Sequence, residues 1–395
     1  MRIGIAGTGP AALMAGSQLI LQGHQVTFFE HKKAAGRKFL VAGHGGFNLS
    51  HSEPEEVFLS RYSHEEIKRC VRRFDNQQLV SWLQFIGIET YQGSTGKIFP
   101  VKGIKPIQVL KSWLDWLESK GTIFLYEHKM MDFTNESLLI ENQQTQQWIH
   151  FDKIILALGG GSWSKTGSDA AWTTLFKSKS IEIVPLQASN AGMNFDFKQL
   201  PSELEGSIAK NVVVSHNEIQ RAGEITFTAY GFEGSPIYFL NGSFRENPAL
   251  PVYIDFKPQF TTDAVLETLQ TSKNATEGLK KLKLAKAAIW LLKSELTKEE
   301  FIQPQILSQK IKSFAVQIHS LRPIEEAIST SGGVSWSEID EDLSLKKFPN
   351  VSVCGEMLDW DAPTGGYLLQ ACFAGGYCAG MGRNYKLEDD ELRIS

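Results

Sequence analysis

Glycines and one acidic residue near the N-terminus have the spacing of a dinucleotide site. In the stretch Gly4–Gly16, Gly7 permits a tight turn and Gly9 lets the backbone approach a pyrophosphate. Ala12 takes the third position of the pattern, where a small side chain lets a helix pack against a strand. Glu30 lies about 20 residues beyond the glycines, where an acidic side chain accepts hydrogen bonds from a ribose hydroxyl. Together these residues predict a dinucleotide cofactor.

The elements around these residues follow the order that such a site requires. "MRIGIAG" predicts a buried strand, a helix follows Gly9 and ends at Gly23, and "HQVTFFE" predicts a second strand that ends at Glu30. A carboxylate at this point repels the extra phosphate of NADP, whereas both NAD and FAD are compatible with it. The alternative is a glycine-rich structural turn beside a surface glutamate. We favour the cofactor site because all of these elements are in register.

A polar stretch from Ala35 to Ser52 offers a second wall for such a cofactor. Arg37 and Lys38 carry cationic donors for phosphate or ribose oxygens. Gly43 begins a run of glycines that would let the chain pass close to a flat ring, and His44 in this run is a candidate proton donor. The alternative interpretation is a flexible polar loop.

Two later predicted strands also run into glycine-containing segments. "KIILALGGG" predicts a buried strand over Ile154–Leu158 that runs into Gly159–Gly161, and open α/β sheets bind ligands at the carboxyl ends of their strands. "VSVCGE" predicts another buried strand, which ends at Gly355 and Glu356. The sequence therefore predicts several walls around one cofactor.

A helix rich in small residues is predicted from about Tyr367, after Gly365 and Gly366. Glycine in a helix interior costs roughly 1 kcal/mol relative to alanine, so several of them indicate something packed close to the backbone. The N-terminus of this helix is also a favourable site for an anion such as a reduced flavin. Close packing of the helix without a ligand is the alternative.

The middle of the chain predicts a change of structure. The stretch "TIFLYEHKMMDFTNESLLIENQQTQQWIHF" indicates a small antiparallel sheet, residues 184–254 indicate strands, and residues 261–314 indicate helices. A basic amphipathic helix is expected over 279–293. Its lysines could bind a membrane surface, but we expect a solvated face.

Composition excludes several classes of protein. The 395 residues carry a net charge of −4, so nucleic acid is not an expected partner. No apolar run is long enough to span a membrane, the four cysteines form no Cys-x-x-Cys pair, and no metal site is predicted. We expect a cytoplasmic protein of two or three structural units, and the sequence does not indicate its oligomeric state.

Several segments together resemble the BaiN/YhiN-like family of bacterial FAD-dependent flavoproteins, also described as NAD(P)/FAD-dependent oxidoreductases. The matching stretches, in chain order, are "GTGPAALMAG", "AGRKFLVAGHGGFNLSHSEP", "LALGGGSWSKTGSDAAW", "GEITFTAYGFEGSPIY", "RPIEEAISTSGGVSW" and "CGEMLDWDAPTGGYLLQACFAGGYCAG".

The resemblance implies an α/β fold with a discontinuous Rossmann-like, glutathione-reductase-like FAD-binding domain, interrupted by a β-barrel-like unit that carries a small helical insert. The implied divisions are 1–188 for the first part of the FAD-binding domain, 189–258 for the β-barrel-like insert, 259–316 for the helical insert, 317–340 for the return of the β-barrel-like insert, and 341–395 for the second part of the FAD-binding domain.

The resemblance also implies contacts with FAD. The pyrophosphate would face Gly7, Gly9, Pro10 and Ala11, and the adenosine ribose would face Glu30. The predicted cofactor-binding residues are, in full, Gly7, Gly9, Pro10, Ala11, Glu30, Arg37, Lys38, Gly43, Asn48, Ala157, Gly159, Gly160, Gly355, Glu356, Asp359, Gly365, Gly366, Tyr367 and Leu368.

The chain departs from the family pattern at two places. Much of the family has Arg-Cys before the asparagine that Asn48 matches, and here these positions are Gly46 and Phe47. Roles of that arginine and cysteine therefore do not transfer. Glu356 stands where many flavoproteins have aspartate, and the resemblance implies that it contacts the ribityl chain of FAD.

The function implied is that of an FAD-dependent oxidoreductase, a reductase of a small organic substrate with NAD(P)H as a candidate electron donor. FAD would supply the hydride chemistry, and the protein would position and tune it. His44 and Tyr230 are candidate proton donors. The alternative function is a non-redox FAD-binding protein or a partner in flavin-dependent RNA modification.

Overall fold

The computed structural model describes residues 1–41 and 47–382 and divides the chain into two compact units. The first unit contains residues 1–187 and the chain from residue 329 onward, and the second contains residues 188–328. Each unit has a hydrophobic core of its own.

The first unit begins with the predicted strand, turn and helix. Its strands up to the second unit are β1 (Arg2–Ala6), β2 (Gln25–Glu30), β3 (Ser50–His51), β4 (Thr90–Gln92), β5 (Lys97–Pro100), β6 (Ile123–Tyr126), β7 (Lys129–Phe133), β8 (Ser137–Glu141), β9 (Gln146–His150), β10 (Lys153–Leu156) and β11 (Ile183–Ser189). Its helices in the same part are α1 (Pro10–Leu21), α2 (Arg37–Val41), α3 (Glu55–Leu59), α4 (Glu65–Arg73), α5 (Asn76–Phe85), α6 (Pro106–Ser119) and α7 (Trp172–Ser178).

The second unit is an antiparallel sheet with helices. Its strands are β12 (Met193–Asn194), β13 (Ile208–His216), β14 (Ile219–Thr228), β15 (Gly231–Glu233), β16 (Val252–Asp255), β17 (Phe314–Val316) and β18 (Ser320–Leu321). Its helices are α8 (Ser235–Phe239), α9 (Asn241–Glu246), α10 (Thr262–Gln270), α11 (Ala275–Lys281), α12 (Lys286–Glu295), α13 (Lys298–Ile302) and α14 (Pro304–Lys312). The strands lie in the order β17-β16-β13-β14-β15-β12-β18.

The returning chain completes the main sheet of the first unit. It supplies β19 (Ser329–Val334), β20 (Ser344–Leu345), β21 (Phe348–Val353) and α15 (Tyr367–Met381). The main sheet has the order β20-β21-β10-β1-β2-β6, in which every pair is parallel except the edge pair of β20 and β21. The carboxyl ends of β1, β2, β10 and β21 therefore meet at one edge, where a Rossmann-like sheet binds its ligand.

Helices α1 and α15 pack with their backbones unusually close. A Cβ atom on Gly376 would overlap the carbonyl oxygen of Ala11, and one on Gly380 would lie 2.6 Å from the carbonyl oxygen of Ala15. The small residues of the last helix, from which the sequence predicted a close neighbour, are therefore explained at these two positions by another helix.

The structure corrects three predictions for the middle of the chain. Strand β6, expected in a small antiparallel sheet, pairs in parallel with β2, and β7, β8 and β9 form the small sheet without it. Two short helices, α8 and α9, occupy part of the region predicted as strands. The single amphipathic helix expected over 279–293 is two helices, because the chain turns at residues 282–285 between α11 and α12.

Candidate functional site

A cleft lies at the carboxyl edge of the main sheet, where four strands of the first unit end. Its lining brings together most of the predicted residues of the first half of the cofactor site, namely Gly7, Gly9, Pro10, Ala11, Glu30, Arg37, Lys38, Ala157, Gly159, Gly355 and Glu356. These residues are separated by more than 300 positions in the chain, and the strand order alone brings them to one place.

The turn after β1 has the backbone geometry that the glycines predicted. Gly7 has a φ of +104°, a conformation that favours glycine, and a Cβ atom there would overlap the carbonyl oxygen of Ala157. Gly9 precedes α1, and within residues 1–41 and 47–382 no side chain caps this helix and no atom lies within 4 Å of a Cβ atom placed on Gly9. The first N–H groups of α1 therefore adjoin open space, which suits an anion.

Glu30 ends β2 with an ionised carboxylate. Burial opposes ionisation, but hydrogen bonds from the His31 ring, the Thr8 hydroxyl and the backbone N–H of Lys32 outweigh it, so the pKa of Glu30 lies below its ordinary value. One Glu30 oxygen interacts with His31 and the Lys32 N–H, and the other accepts from Thr8. The second oxygen retains acceptor capacity for a further hydroxyl group.

Lys38 and Glu356 form an ion pair inside the cleft. The Lys38 Nζ lies 2.6 Å from Oε2 of Glu356, and it also donates to the Ser162 hydroxyl at 2.8 Å. Arg37, by contrast, is exposed at the cleft and makes no ion pair with the described residues. Of the two cations predicted to face phosphates, Arg37 is thus the one that keeps its donors available.

The glycines after β10 have different neighbours. Gly159 lines the cleft with a φ of +78° and lies against Ser168. Gly160 lies outside the lining, where a Cβ atom would overlap the hydroxyl oxygen of Thr330. Packing against β19 therefore accounts for Gly160 without a ligand.

A second group of predicted residues surrounds the N-terminus of α15. Gly366 precedes this helix with a φ of +105°, and a Cβ atom there would lie 2.5 Å from the backbone carbonyl of Ser50. The Ser50 hydroxyl donates to Gln370, whose amide group donates to the carbonyl of Phe74. The Nδ2 atom of Asn48 is buried and has no hydrogen-bond partner among the described residues.

The remaining predicted residues at this end do not line the cleft. The Tyr367 side chain is 2% exposed, and its hydroxyl donates to Glu53, which Arg61 also holds through two hydrogen bonds. The Asp359 carboxylate lies 3.5 Å from the His64 ring. Burial raises the pKa of Asp359. Gly365 and Leu368 likewise lie outside the cleft lining.

The predictions missed several residues of the cleft. Thr8 and His31 surround the Glu30 carboxylate, and the His31 Nε2 atom is buried without a hydrogen-bond partner in the part of the chain that the structure describes. Ser168 lies beside Gly159, and Trp172 donates its ring N–H to the Gly159 carbonyl at 2.9 Å. Trp172 and Ser168 belong to the matched stretch "GSDAAW", so the resemblance already contained a signal for them.

Two thiols adjoin the cleft but are poor nucleophiles. Cys354 and Cys372 line it as free, buried cysteines. Burial raises the pKa of Cys354 to about 12, and burial together with the Glu356 charge raises that of Cys372 further. Both thiols are therefore protonated at neutral pH, and reactivity requires the thiolate.

The structure leaves both candidate proton donors as predictions. Gly43 and His44 lie outside the described residues. Tyr230 belongs to the second unit, where its hydroxyl donates to Glu233 and the Arg322 guanidinium lies 4.0 Å from its ring centre. Burial and the Glu233 carboxylate raise the pKa of Tyr230 far above its ordinary value.

Two absences concern residues 1–41 and 47–382. Within these ranges no helix combines the length and hydropathy needed to cross a membrane. Within the same ranges no cluster of three or more His, Cys, Asp or Glu side chains could hold a metal ion.

The residues of the first unit fit an FAD molecule. The open N-terminus of α1 suits a pyrophosphate, and Glu30 suits a ribose. Two buried nitrogen atoms, His31 Nε2 and Asn48 Nδ2, find no partner within residues 1–41 and 47–382 for the hydrogen bonds that buried polar groups normally make. A cofactor with polar groups at both ends would supply such partners.

This fold and cleft define a Rossmann-type dinucleotide-binding protein. The chain matches the family described as "HI0933-like protein Rossmann domain" over residues 1–382 and belongs to it. This is the BaiN/YhiN-like family of FAD-dependent oxidoreductases, whose members are enzymes, so the predicted class is confirmed.

Two relatives span nearly the same length as this chain. The 3-dehydro-bile acid delta(4,6)-reductase of Clostridium scindens is 23% identical over 96% of this chain and 98% of its own length. The ribosomal RNA dihydrouridine synthase of Haemophilus influenzae is 22% identical over 95% of this chain and 97% of its own length.

Solved structures support the fold. A 3-ketosteroid-delta4-(5alpha)-dehydrogenase from Rhodococcus jostii RHA1 is similar with a TM-score of 0.53 and 13% identity, over 96% of this chain and 95% of that one. A flavocytochrome c3 fumarate reductase gives a TM-score of 0.50 and 12% identity, over 96% of this chain and 77% of that one.

Proposed function

We propose that this protein is an FAD-dependent reductase that adds hydrogen to a carbon–carbon double bond of a small organic substrate, with NAD(P)H as the electron donor. The observation that carries the proposal is the cleft at the carboxyl edge of β1, β2, β10 and β21. The names of the two relatives support the reaction class: one is a delta(4,6)-reductase, and dihydrouridine differs from uridine by two added hydrogens.

We assign the adenosine half of FAD to the residues around Gly9 and Glu30. Gly7, Gly9, Pro10 and Ala11 would surround the pyrophosphate, and the ionised Glu30 would accept hydrogen bonds from the ribose. Arg37 would face a phosphate because its guanidinium is not paired with a carboxylate of the described chain.

We assign the flavin half to the segments that meet at the N-terminus of α15. Bound FAD would accept a hydride from the donor and pass it to the substrate. The buried Asn48 amide would donate to the ring, and the backbone from Gly366 to Leu368 would face its pyrimidine edge. We keep eight further predictions as proposed contacts or neighbours of the cofactor: the Lys38–Glu356 pair, Ala157, Gly159, Gly160, Gly355, Asp359, Gly365 and Gly43.

We propose Tyr230 and His44 as the candidate proton donors. Tyr230 is protonated at neutral pH, since burial and Glu233 raise its pKa, and a protonated hydroxyl can act as an acid. His44 is proposed as a proton donor from its place in the glycine-rich sequence.

The spectrum of the purified protein tests cofactor and donor together. A yellow protein whose flavin is bleached by NADH or NADPH in anaerobic stopped-flow is the expected outcome. A colourless protein that also does not bind added FAD contradicts the proposal. A yellow protein that neither nucleotide bleaches retains FAD but excludes NAD(P)H as donor.

Three further parts of the sequence-based expectation stay with this proposal. The fold of the first unit would be of the glutathione-reductase type, the second unit would be barrel-like with a helical insert, and the protein would act in the cytoplasm. The domain limits 1–188, 189–258, 259–316, 317–340 and 341–395 also remain predictions.

A second candidate function is reduction of a base in RNA. It is favoured by the relative that is a ribosomal RNA dihydrouridine synthase, whereas the net charge of −4 disfavours it. Binding of RNA that weakens steeply as salt is raised would support it, because phosphate contacts release counterions.

A further inference from the structure

A cleft in the second unit is lined by several lysines. Its volume is about 560 Å³, and it lies between β13 and the turn that joins α11 to α12. Among residues 1–41 and 47–382, the charged side chains that line it are Lys210, Lys257, Lys281 and Lys283, with no Asp or Glu. This concentration of positive charge contrasts with the net charge of −4 of the whole chain.

Lys257 is the most deeply placed of these lysines. It is 8% exposed, and its Nζ atom donates to the backbone carbonyl of Lys283 at 2.9 Å. Among the described residues it makes no ion pair, and the nearby Asp255 is held by Lys312 at 2.7 Å. Burial and the positive charge of Lys283 lower the pKa of Lys257. A buried ammonium that meets a neutral carbonyl is unfavourable unless an anion joins it.

The other lysines leave the centre of the cleft positive. Lys210 and Lys281 pair with Glu224 and Glu277 at 3.6 and 3.4 Å. These four side chains are 34–68% exposed, and such solvent-accessible pairs contribute little. Lys283 is exposed and has no ion pair among the described residues. Its φ of +54° is that of the left-handed position just after α11, where the backbone N–H of Leu284 donates to the carbonyl of Leu279.

A helix end and an aromatic ring complete the cleft. Ala285 precedes the ten-residue helix α12 without a side-chain cap, and Ala285 and Ala288 both line the cleft, so free N–H groups of the first turn adjoin it. Such groups bind anions. Phe260, at the same cleft, is 40% exposed and offers a face for a flat ring.

We propose that this cleft binds the phosphate group of a nucleotide, carried either by a free nucleotide or by a polynucleotide strand. Lys257, Lys283 and the N-terminus of α12 would hold the phosphate, and Phe260 would stack on a base. The site does not depend on the proposed flavin chemistry, because every residue that forms it belongs to the second unit.

The test uses the full chain loaded with FAD and then freed of excess FAD, so that the cofactor cleft is filled and no free nucleotide competes with the probes. Binding is measured for inorganic phosphate, for uridine 5′-monophosphate and for a fluorescein-labelled oligouridylate. The variants are Lys257→Met and Lys283→Met, and the matched control is Lys298→Met, which removes the same charge from an exposed residue of the second unit outside the cleft lining.

We expect the two cleft variants to raise the dissociation constant by about tenfold or more, because each removes a charged hydrogen-bond donor to the phosphate. The control variant should bind like the unchanged protein. If the oligouridylate binds much more tightly than the monophosphate, the source is a polynucleotide; if all three bind alike, the source is a free phosphate group.

Two results would overturn the proposal. One is the failure of all three probes to bind at millimolar concentration. The other is binding that Lys257→Met and Lys298→Met affect equally. Should Lys257→Met fail to fold, Lys283→Met decides alone, because Lys283 is exposed and its backbone carbonyl is retained in the variant.

Discussion

Among the glycines of the cofactor cleft, Gly9 has room where a side chain would stand. Gly7 is required by the chain itself, because its φ of +104° and the carbonyl of Ala157 leave no space for a Cβ atom. Gly9 has an extended conformation that any residue adopts, and a Cβ atom on it would meet no atom of the described residues within 4 Å. The packing of the chain thus does not explain Gly9, whereas a phosphate beside the helix N-terminus does.

Gly9→Ala should therefore separate folding from cofactor binding. We expect the free energy of unfolding of the FAD-free protein to change by less than about 1 kcal/mol, while the dissociation constant for FAD rises about tenfold. Fluorescence titration with FAD measures the second effect. Gly242→Ala is the control, since its Cβ atom would lie 4.0 Å from the nearest side chain, in the second unit. Unaltered FAD affinity in Gly9→Ala would contradict the assignment.

Glu30 should make the stability of the FAD-free protein depend on pH. Although burial opposes ionisation, the hydrogen bonds from His31, Thr8 and Lys32 lower its pKa in the folded state. The folded protein therefore binds fewer protons than the unfolded chain near the ordinary glutamate pKa. The stabilisation is fully present above that pKa and is lost as the pH falls through the lowered value of the folded state.

Glu30→Gln removes this titration while keeping the shape of the side chain. Urea unfolding at pH 7 and pH 3 should show a smaller loss of stability in the variant than in the unchanged protein, by about 1–2 kcal/mol. The variant should also bind FAD more weakly at pH 7, because an amide offers one acceptor oxygen where the carboxylate offers two. Parallel losses of stability in both proteins would show that Glu30 does not gain its charge from this network.

At the scale of elements, the contact between α1 and α15 links the first and last parts of the cofactor cleft. Helix α1 begins directly after Gly9, and α15 begins directly after Gly366, which lies against the backbone of Ser50. Gly376 allows the two backbones to approach, because any side chain there would overlap Ala11. Gly375, its neighbour, faces ordinary contacts instead: a Cβ atom would lie 3.5 Å from the backbone nitrogen of Gly355.

Alanine at these neighbouring positions should have opposite effects. Gly375→Ala should raise the free energy of unfolding by up to about 1 kcal/mol through helix propensity. Gly376→Ala gains the same propensity but forces the helices apart, and we expect a net loss of about 1–3 kcal/mol. Urea unfolding of both variants at one pH measures the difference. If both variants were equally stabilised, the close approach of α1 and α15 would not be needed.

Sequence patterns predicted the elements of the cofactor cleft well because its chemistry is local. The turn at Gly7, the end of β2 at Glu30 and the beginning of α15 near Tyr367 each depend on a few adjacent residues. Contacts between residues distant in the chain were not predicted. Examples are the pairing of β6 with β2 in the parallel sheet and the ion pair of Lys38 with Glu356. The lysine cleft of the second unit escaped prediction because the turn at residues 282–285 interrupts an otherwise continuous helical pattern.

At the scale of the whole molecule, the two cores suggest that the chain consists of two units that could each fold alone. One core contains residues of the first unit and the other contains residues of the second. Strands β11 and β19 pair with each other, so the chain leaves and re-enters the first unit on neighbouring strands. Apart from Tyr230, every residue predicted to contact FAD or to donate a proton belongs to the first unit.

Replacing residues 188–328 by a short Gly/Ser linker should therefore leave a folded protein that binds FAD. Circular dichroism should show the first unit intact, and the dependence of unfolding on urea should be shallower than in the full chain because less surface becomes exposed. The visible spectrum and a fluorescence titration report FAD binding, and Gly9→Ala in the shortened chain should weaken it as in the full chain. A shortened chain that folds but has no affinity for FAD would mean that the second unit supplies part of the cofactor site, which the residues assigned here do not require.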